Sequence, residues 1–226
     1  MVIGSPSCRR IGDLRWLVLA PHPDDETLGA GALIAEASRA GCLAGLVYLT
    51  DGSGSHRSPG DRNGRLVSTR RREAAGAVFR LSGSRKVAPL HLGWKDAAPA
   101  PPESSAFGLA ARRLAALCRR RQVDALAVTA LHEPHCDHAA AARLAYAVQA
   151  LAKRRLLVAE YLVWGGAFER GTHRTVRTIP MPAGKRRHAL RAHRSQLTGV
   201  LGPGFRLPAE RVRMPAADTL YMRRSP

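Results

Sequence analysis

Apolar and polar positions alternate in blocks along this chain. Arg15 to Ala20 (RWLVLA) is a short, nearly continuous apolar run stopped by Pro21, the pattern of a buried strand. Thr27 to Ala40 (TLGAGALIAEASRA) sets Leu28, Ala32, Leu33 and Ala35 at helical spacing, with Gly41 as C-cap. Leu43 to Thr50 (LAGLVYLT) predicts a second strand, and Asp51 to Gly64 (DGSGSHRSPGDRNG) a long, mobile loop. A helix over Leu66 to Leu81, a strand over Val87 to Leu92 and a Pro-rich loop over Ala97 to Pro102 follow. Next come a basic amphipathic helix over Ser105 to Arg121 and a strand over Val123 to Thr129. The loop Leu131 to His138 leads to a helix over Ala139 to Lys153 and a strand over Leu156 to Trp164. Lys185 to Leu197 reads as a late helix and the rest as irregular.

This strand–helix alternation predicts one α/β domain over residues 1–226. It would be a Rossmann-like, three-layer structure with a mostly parallel sheet and helices on both faces. Its core spans about 14–200, with 201–226 as a C-terminal extension. Right-handed crossovers bring every strand-to-helix loop to one sheet edge, where ligands bind in such folds. Two polar clusters fall in loops of that kind: Pro21 to Glu26 (PHPDDE) and His135 to His138 (HCDH). They are candidates for one site despite their distance along the chain.

Composition narrows the function classes. At 226 residues and 45% hydrophobic, the chain can bury a sizeable core, and wholesale disorder is not expected. No apolar run approaches the ~18 residues of a membrane-spanning helix, and no signal peptide is visible. The cysteines, Cys8, Cys42, Cys118 and Cys136, form no C-x-x-C pair. That pattern supports neither a zinc finger nor a disulfide framework, and isolated thiols suit a reducing, cytoplasmic setting. Lys and Arg number 36 against 17 Asp and Glu, a formal net charge of +19. Such a balance fits an anionic partner or, since the arginines are scattered, solvated helix faces. Aromatics make up only 5% and no basic stretch carries stacking platforms, so no specific nucleic acid is expected. Serines lack a G-x-S-x-G context, and no Walker A or dinucleotide fingerprint is present.

The two clusters carry the chemistry. In PHPDDE a histidine and adjacent carboxylates directly follow a buried strand, and imidazole plus carboxylate suits a borderline cation such as zinc. Successive side chains point differently, so one carboxylate could bind metal and its neighbour act as a base. The plainer reading is that Asp24, Asp25 and Glu26 cap the helix that follows. In HCDH two histidines flank an aspartate, and a carboxylate beside a ligand histidine commonly fixes its tautomer. His132 and Glu133 read as loop solvation or outer support, and His56 as a solvated loop residue.

A strand followed by PHPDDE, with a later H-x-D-H, resembles the LmbE-like (PIG-L-type) zinc-dependent de-N-acetylases. The first motif matches that family's pattern fully; the second has Cys136 where the family usually has Pro. Thr50-Asp51-Gly52, Arg71 or Arg72 with Glu73, Gly93-Trp94-Lys95-Asp96 and His193-Arg194-Ser195-Gln196 extend the likeness. The resemblance implies a hydrolase acting on an N-acyl amino sugar or glycoconjugate, with an anionic group as one option. It implies one zinc per chain, ferrous iron being the alternative, on His22, Asp25 and His138. Asp24 would be the general base, His135 would sit near the developing oxyanion, and Asp137 would orient a histidine. Arg71 and Asp96 would contact substrate. Two other readings remain at this point: an amidase on a non-sugar substrate, and a basic, non-catalytic nucleic-acid-binding protein.

Overall fold

The computed structural model describes residues 10–56 and 64–224. Cys8 and the middle of the predicted 51–64 loop lie outside the described residues. Strand β1 (Trp16–Ala20) is fully buried, and its side chains alternate between two cores. Trp16, Val18 and Ala20 face one cluster, while Leu17 and Leu19 face the other. Both faces of the strand are therefore covered, which explains why its sequence reads as continuous rather than alternating.

The sheet has seven strands: β1, β2 (Leu43–Thr50), β3 (Leu90–Trp94), β4 (Ala125–Thr129), β5 (Leu157–Tyr161), β6 (His173–Arg177) and β7 (Thr219–Arg223). Their order is β3-β2-β1-β4-β5-β7-β6. The first five run parallel; β7 is antiparallel to β5, and β6 to β7. The helices are α1 (Asp25–Gly29), α2 (Gly31–Arg39), α3 (Arg65–Ser82), α4 (Ser105–Arg120), α5 (Cys136–Leu151), α6 (Lys185–Leu190) and α7 (Arg194–Leu197). Helices α2, α3 and α6 contribute to the core on one face, and α4 and α5 to the core on the other. This is the predicted α/β architecture.

Three local readings change. Residues past 165, expected to be irregular apart from one helix, supply β6 and β7 at the sheet edge. The predicted helix Thr27 to Ala40 is two helices, α1 and α2. At the joint, Gly29 lies against the Tyr161 ring so closely that a Cβ would come 2.2 Å from Cδ2. The late helix over 185–197 is likewise split, into α6 and α7.

The chain leaves β1 toward β2 and returns from β3 to β4 on the other side of β1. The strand order thus reverses between β1 and β4, and a crevice opens outside the carboxyl ends of those strands. PHPDDE follows β1 and LHEPHCDH follows β4, so both polar loops border that crevice.

Candidate metal centre

The loop after β1 is folded tightly around its own polar groups. Asp24 has φ +134°, a conformation side-chain-bearing residues rarely adopt, costing about 1–3 kcal/mol. Its side chain makes no cap hydrogen bond to α1, so capping does not account for it. Its backbone is held instead: Asp24 N donates to Glu26 Oε2 (2.9 Å), and its carbonyl accepts from Thr27 N and Leu28 N. Asp25 Oδ2 accepts from His22 N (2.9 Å) and lies 3.1 Å from His22 Nδ1.

In the second loop, His135 is the N-cap of α5, its Nδ1 accepting from Asp137 N at 3.2 Å. The helix begins at Cys136 rather than at the predicted Ala139, which puts Asp137 and His138 on its first turn. His138 Nε2 reaches Asp25 Oδ2 at 3.2 Å, so the two sequence clusters meet. Ligand atoms of His22, His135 and His138 all lie within 4.8 Å of one another, and the same holds for His22, Asp96, His135 and Asp137. His22 Nε2 is 2.9 Å from Asp137 Oδ2 and 3.3 Å from Asp96 Oδ1.

A cavity of about 510 Å³ opens over these groups. Asp24, Asp25 and Asp96 line it, and among the described lining residues Arg70 supplies the one guanidinium. In a chain of net charge +19 the described lining of this pocket is poor in permanent positive charge, while imidazole and carboxylate donors converge within it. That donor set fits a borderline dication such as zinc.

The electrostatics follow from this crowding. Burial pushes the Asp24 carboxyl up, the neighbouring Asp25 pushes it further, and Arg70 only partly opposes them; it reaches about 7. Burial would also raise Asp25, but His138 and His22 outweigh it and hold that carboxyl well below its ordinary range. Burial works to lower His138, yet Asp25 and Glu133 bring it to about 9. His22 stands well above its ordinary value because Asp137, Asp25 and Asp96 overcome the same burial. His135 is lowered by burial and by His22 and His138.

Of the residues expected to touch substrate, Asp96 is in the cavity, its Oδ2 accepting from Gly54 N at 3.0 Å. Arg71 is not: it sits exposed on α3. One residue earlier the helix turns about 100° inward, and Arg70 is buried there. Its guanidinium donates to the carbonyls of Gly52 and Pro23 (both 2.8 Å) and lies 3.7 Å from Asp24 and 3.8 Å from Asp96. Arg70 and Glu73 are therefore the arginine and glutamate that share a helix face. Glu73 accepts from both N and Oγ of Ser195, joining α3 to the His193–Gln196 segment. His193 is fully buried and pairs with Glu26 at 3.1 Å.

His56, read as a solvated loop residue, is buried, with its Nε2 2.9 Å from Arg206. Sequence reasoning also missed the wall formed by Trp164, Gln196 and Phe205. Those residues come from segments with no catalytic motif, and only the H-x-S-Q stretch signalled one of them. Glu133 is buried against His138, with Nδ1 to Oε2 at 3.2 Å.

A family model described as GlcNAc-PI de-N-acetylase (PIG-L) matches residues 17–149. Among solved structures, the chain is similar to a conserved protein of Thermus thermophilus, with 26% identity, TM-score 0.63 and coverage of 92% of this chain and 93% of that one. It is also similar to N,N'-diacetylchitobiose deacetylase of Pyrococcus horikoshii (18% identity, TM-score 0.64, covering 93% and 84%). A zinc-inhibited form of teicoplanin deacetylase shares the fold as well (19% identity, TM-score 0.61, covering 92% and 97%). No curated protein matches.

Proposed function

This chain belongs to the GlcNAc-PI de-N-acetylase (PIG-L) family, and from that premise we propose that it hydrolyses the N-acyl amide of an amino sugar or sugar conjugate with one zinc ion. The observation that carries this reading is the meeting of the two loops at Asp25, whose Oδ2 lies 3.1 Å from His22 Nδ1 and 3.2 Å from His138 Nε2, beside a second buried carboxylate, Asp24. His22, Asp25 and His138 would hold the cation. When bound, zinc supplies a Lewis acid that polarises the amide carbonyl and acidifies water toward a pKa of ~7.

The chain's own residues do the rest. Asp24, whose carboxyl burial and Asp25 push up in the metal-free chain, accepts a proton from the attacking water and passes it to the departing amine. Arg70 holds that carboxylate in place and keeps its pKa from rising further. His135, half-buried at the cavity wall, donates to the oxygen that becomes negative as the amide carbon turns tetrahedral. Asp137, fixed by Ala97 N at 2.8 Å, orients His22. Asp96 accepts from a sugar hydroxyl, and Trp164 and Phe205 cover apolar parts of the conjugate. The setting is the cytoplasm, in keeping with free Cys42, Cys118 and Cys136. Among the described residues no helix is long and apolar enough to cross a membrane.

The test is amine release from a panel of N-acetylglucosamine conjugates and N-acyl amino acids, with zinc content measured alongside. Turnover of sugar conjugates at one zinc per chain supports the reading. Turnover confined to amino acids moves the substrate class, and a metal-free active protein overturns the mechanism.

A further inference from the structure

Glu133 lies two residues before the HCDH motif and outside every catalytic role assigned above. Its carboxylate is buried, and four donors surround it. Oε1 accepts from the backbone N–H groups of Val163 (2.7 Å), Trp164 (3.1 Å) and Gly165 (3.0 Å). Oε2 accepts from Trp164 N at 2.9 Å and from His138 Nδ1 at 3.2 Å. Three successive backbone N–H groups aimed at one anion form a nest of the kind that binds phosphate elsewhere, here filled by a side chain of the same molecule. The nest is tightly fitted. A Cβ on Gly165 would come 3.2 Å from Glu133 Oε1.

The two halves of this arrangement face different parts of the site. On one side, accepting from Nδ1 fixes the orientation of the His138 ring and leaves Nε2 as the atom directed at Asp25, 3.2 Å away. On the other, the pinned turn carries Trp164 into the cavity wall, where its ring meets Phe205 and Arg211. We propose that Glu133 is a positioning residue that couples metal affinity to the shape of the substrate wall, one carboxylate setting both His138 and Trp164. Linkage makes the coupling reciprocal: cation binding at His138 tightens the Trp164 turn, and ligand packed on Trp164 tightens the cation.

The inference rests on the proposed zinc site, and the experiment separates the two. Zinc affinity is measured by competition with a chromophoric chelator for wild type, Glu133→Gln and Gly165→Ala. Trp164 emission, isolated by subtracting the Trp164→Phe spectrum, is followed during the same titration. In Glu133→Gln an amide NH₂ must face N–H donors, and affinity is expected to fall roughly 10- to 100-fold. Gly165→Ala keeps the carboxylate but crowds it, and is expected to weaken zinc in the same direction. Zinc should change Trp164 emission in wild type and leave it unchanged in Glu133→Gln, a signature that a merely structural loss of melting temperature would not produce. Wild-type zinc binding with affinity and emission response unaltered in both variants overturns the coupling. A wild-type chain that takes up no zinc overturns the functional reading and this inference with it.

Discussion

Asp24→Asn should lower activity and raise stability, two effects of opposite sign from one change. Asparagine keeps the shape of Asp24 but cannot accept the water proton. Losing a general base costs about 10²- to 10⁴-fold in kcat, or roughly 3–5 kcal/mol of barrier. Zinc content should stay near one equivalent, because Asp24 lies outside the proposed ligand set. The stability effect comes from burial. Asp24 rises from an ordinary 3.8 to about 7 in the fold, which corresponds to a charge burden on the order of 4 kcal/mol once it ionises. A carboxyl raised on folding destabilises the protein above its folded value and has no effect below its unfolded one. The metal-free variant should therefore be more stable than metal-free wild type at pH 8, by roughly 10 °C in melting temperature. The difference should vanish near pH 4. Steady-state amine release, zinc analysis and melting curves at the two pH values read all three quantities. A kcat within tenfold of wild type would remove Asp24 as the base; a lower melting temperature at pH 8 would refute the burial argument.

Arg71→Ala should leave KM within about twofold, whereas Arg70→Met should cripple turnover and move the acidic limb of the pH–rate profile upward, since Arg70 holds Asp24 down; equal effects would misplace the arginine. His193 is raised because Glu26 overcomes its burial, so its charged form stabilises the fold below its unfolded value and is lost as pH rises through the folded one. Urea melts should show wild type losing stability relative to His193→Gln as pH rises above the ordinary histidine value of 6.5, and a constant gap would contradict the pairing. Gly29→Ala puts a Cβ 2.2 Å from Tyr161 Cδ2 and 3.0 Å from Leu162 O, which should cost about 1–3 kcal/mol in calorimetry; an unchanged melting temperature would mean that joint is loose.

The sheet's buried strands were legible because β1, β2 and β4 are apolar on both faces, and that pattern survives without knowledge of their partners. Strands β6 and β7 were not, since His173–Arg177 (HRTVR) offers a single apolar residue, Val176, among charged and polar ones at an edge and is held by pairing with a distant segment. PHPDDE and HCDH could be placed together because topology sends both loops to the same crevice. The expectation of Arg71 misread the spacing: it is Arg70 that stands three residues before Glu73, the i, i+3 separation that puts two side chains on one helix face. That this face of α3 turns toward the pocket is a tertiary fact. Glu133 could be named as outer support, but its partners could not: Val163 to Gly165 are 30 to 32 residues away in sequence and donate through backbone N–H groups that no side-chain pattern reveals.

The central claim is that loops following β1 and β4 close on one divalent ion. A crystal of the zinc-loaded enzyme, measured on both sides of the zinc absorption edge, tests it directly. The account predicts a single anomalous peak per chain, ~2.0–2.2 Å from His22, His138 and Asp25. A peak coordinated instead by Asp96, His135 and Asp137, or no peak in this crevice, would contradict it.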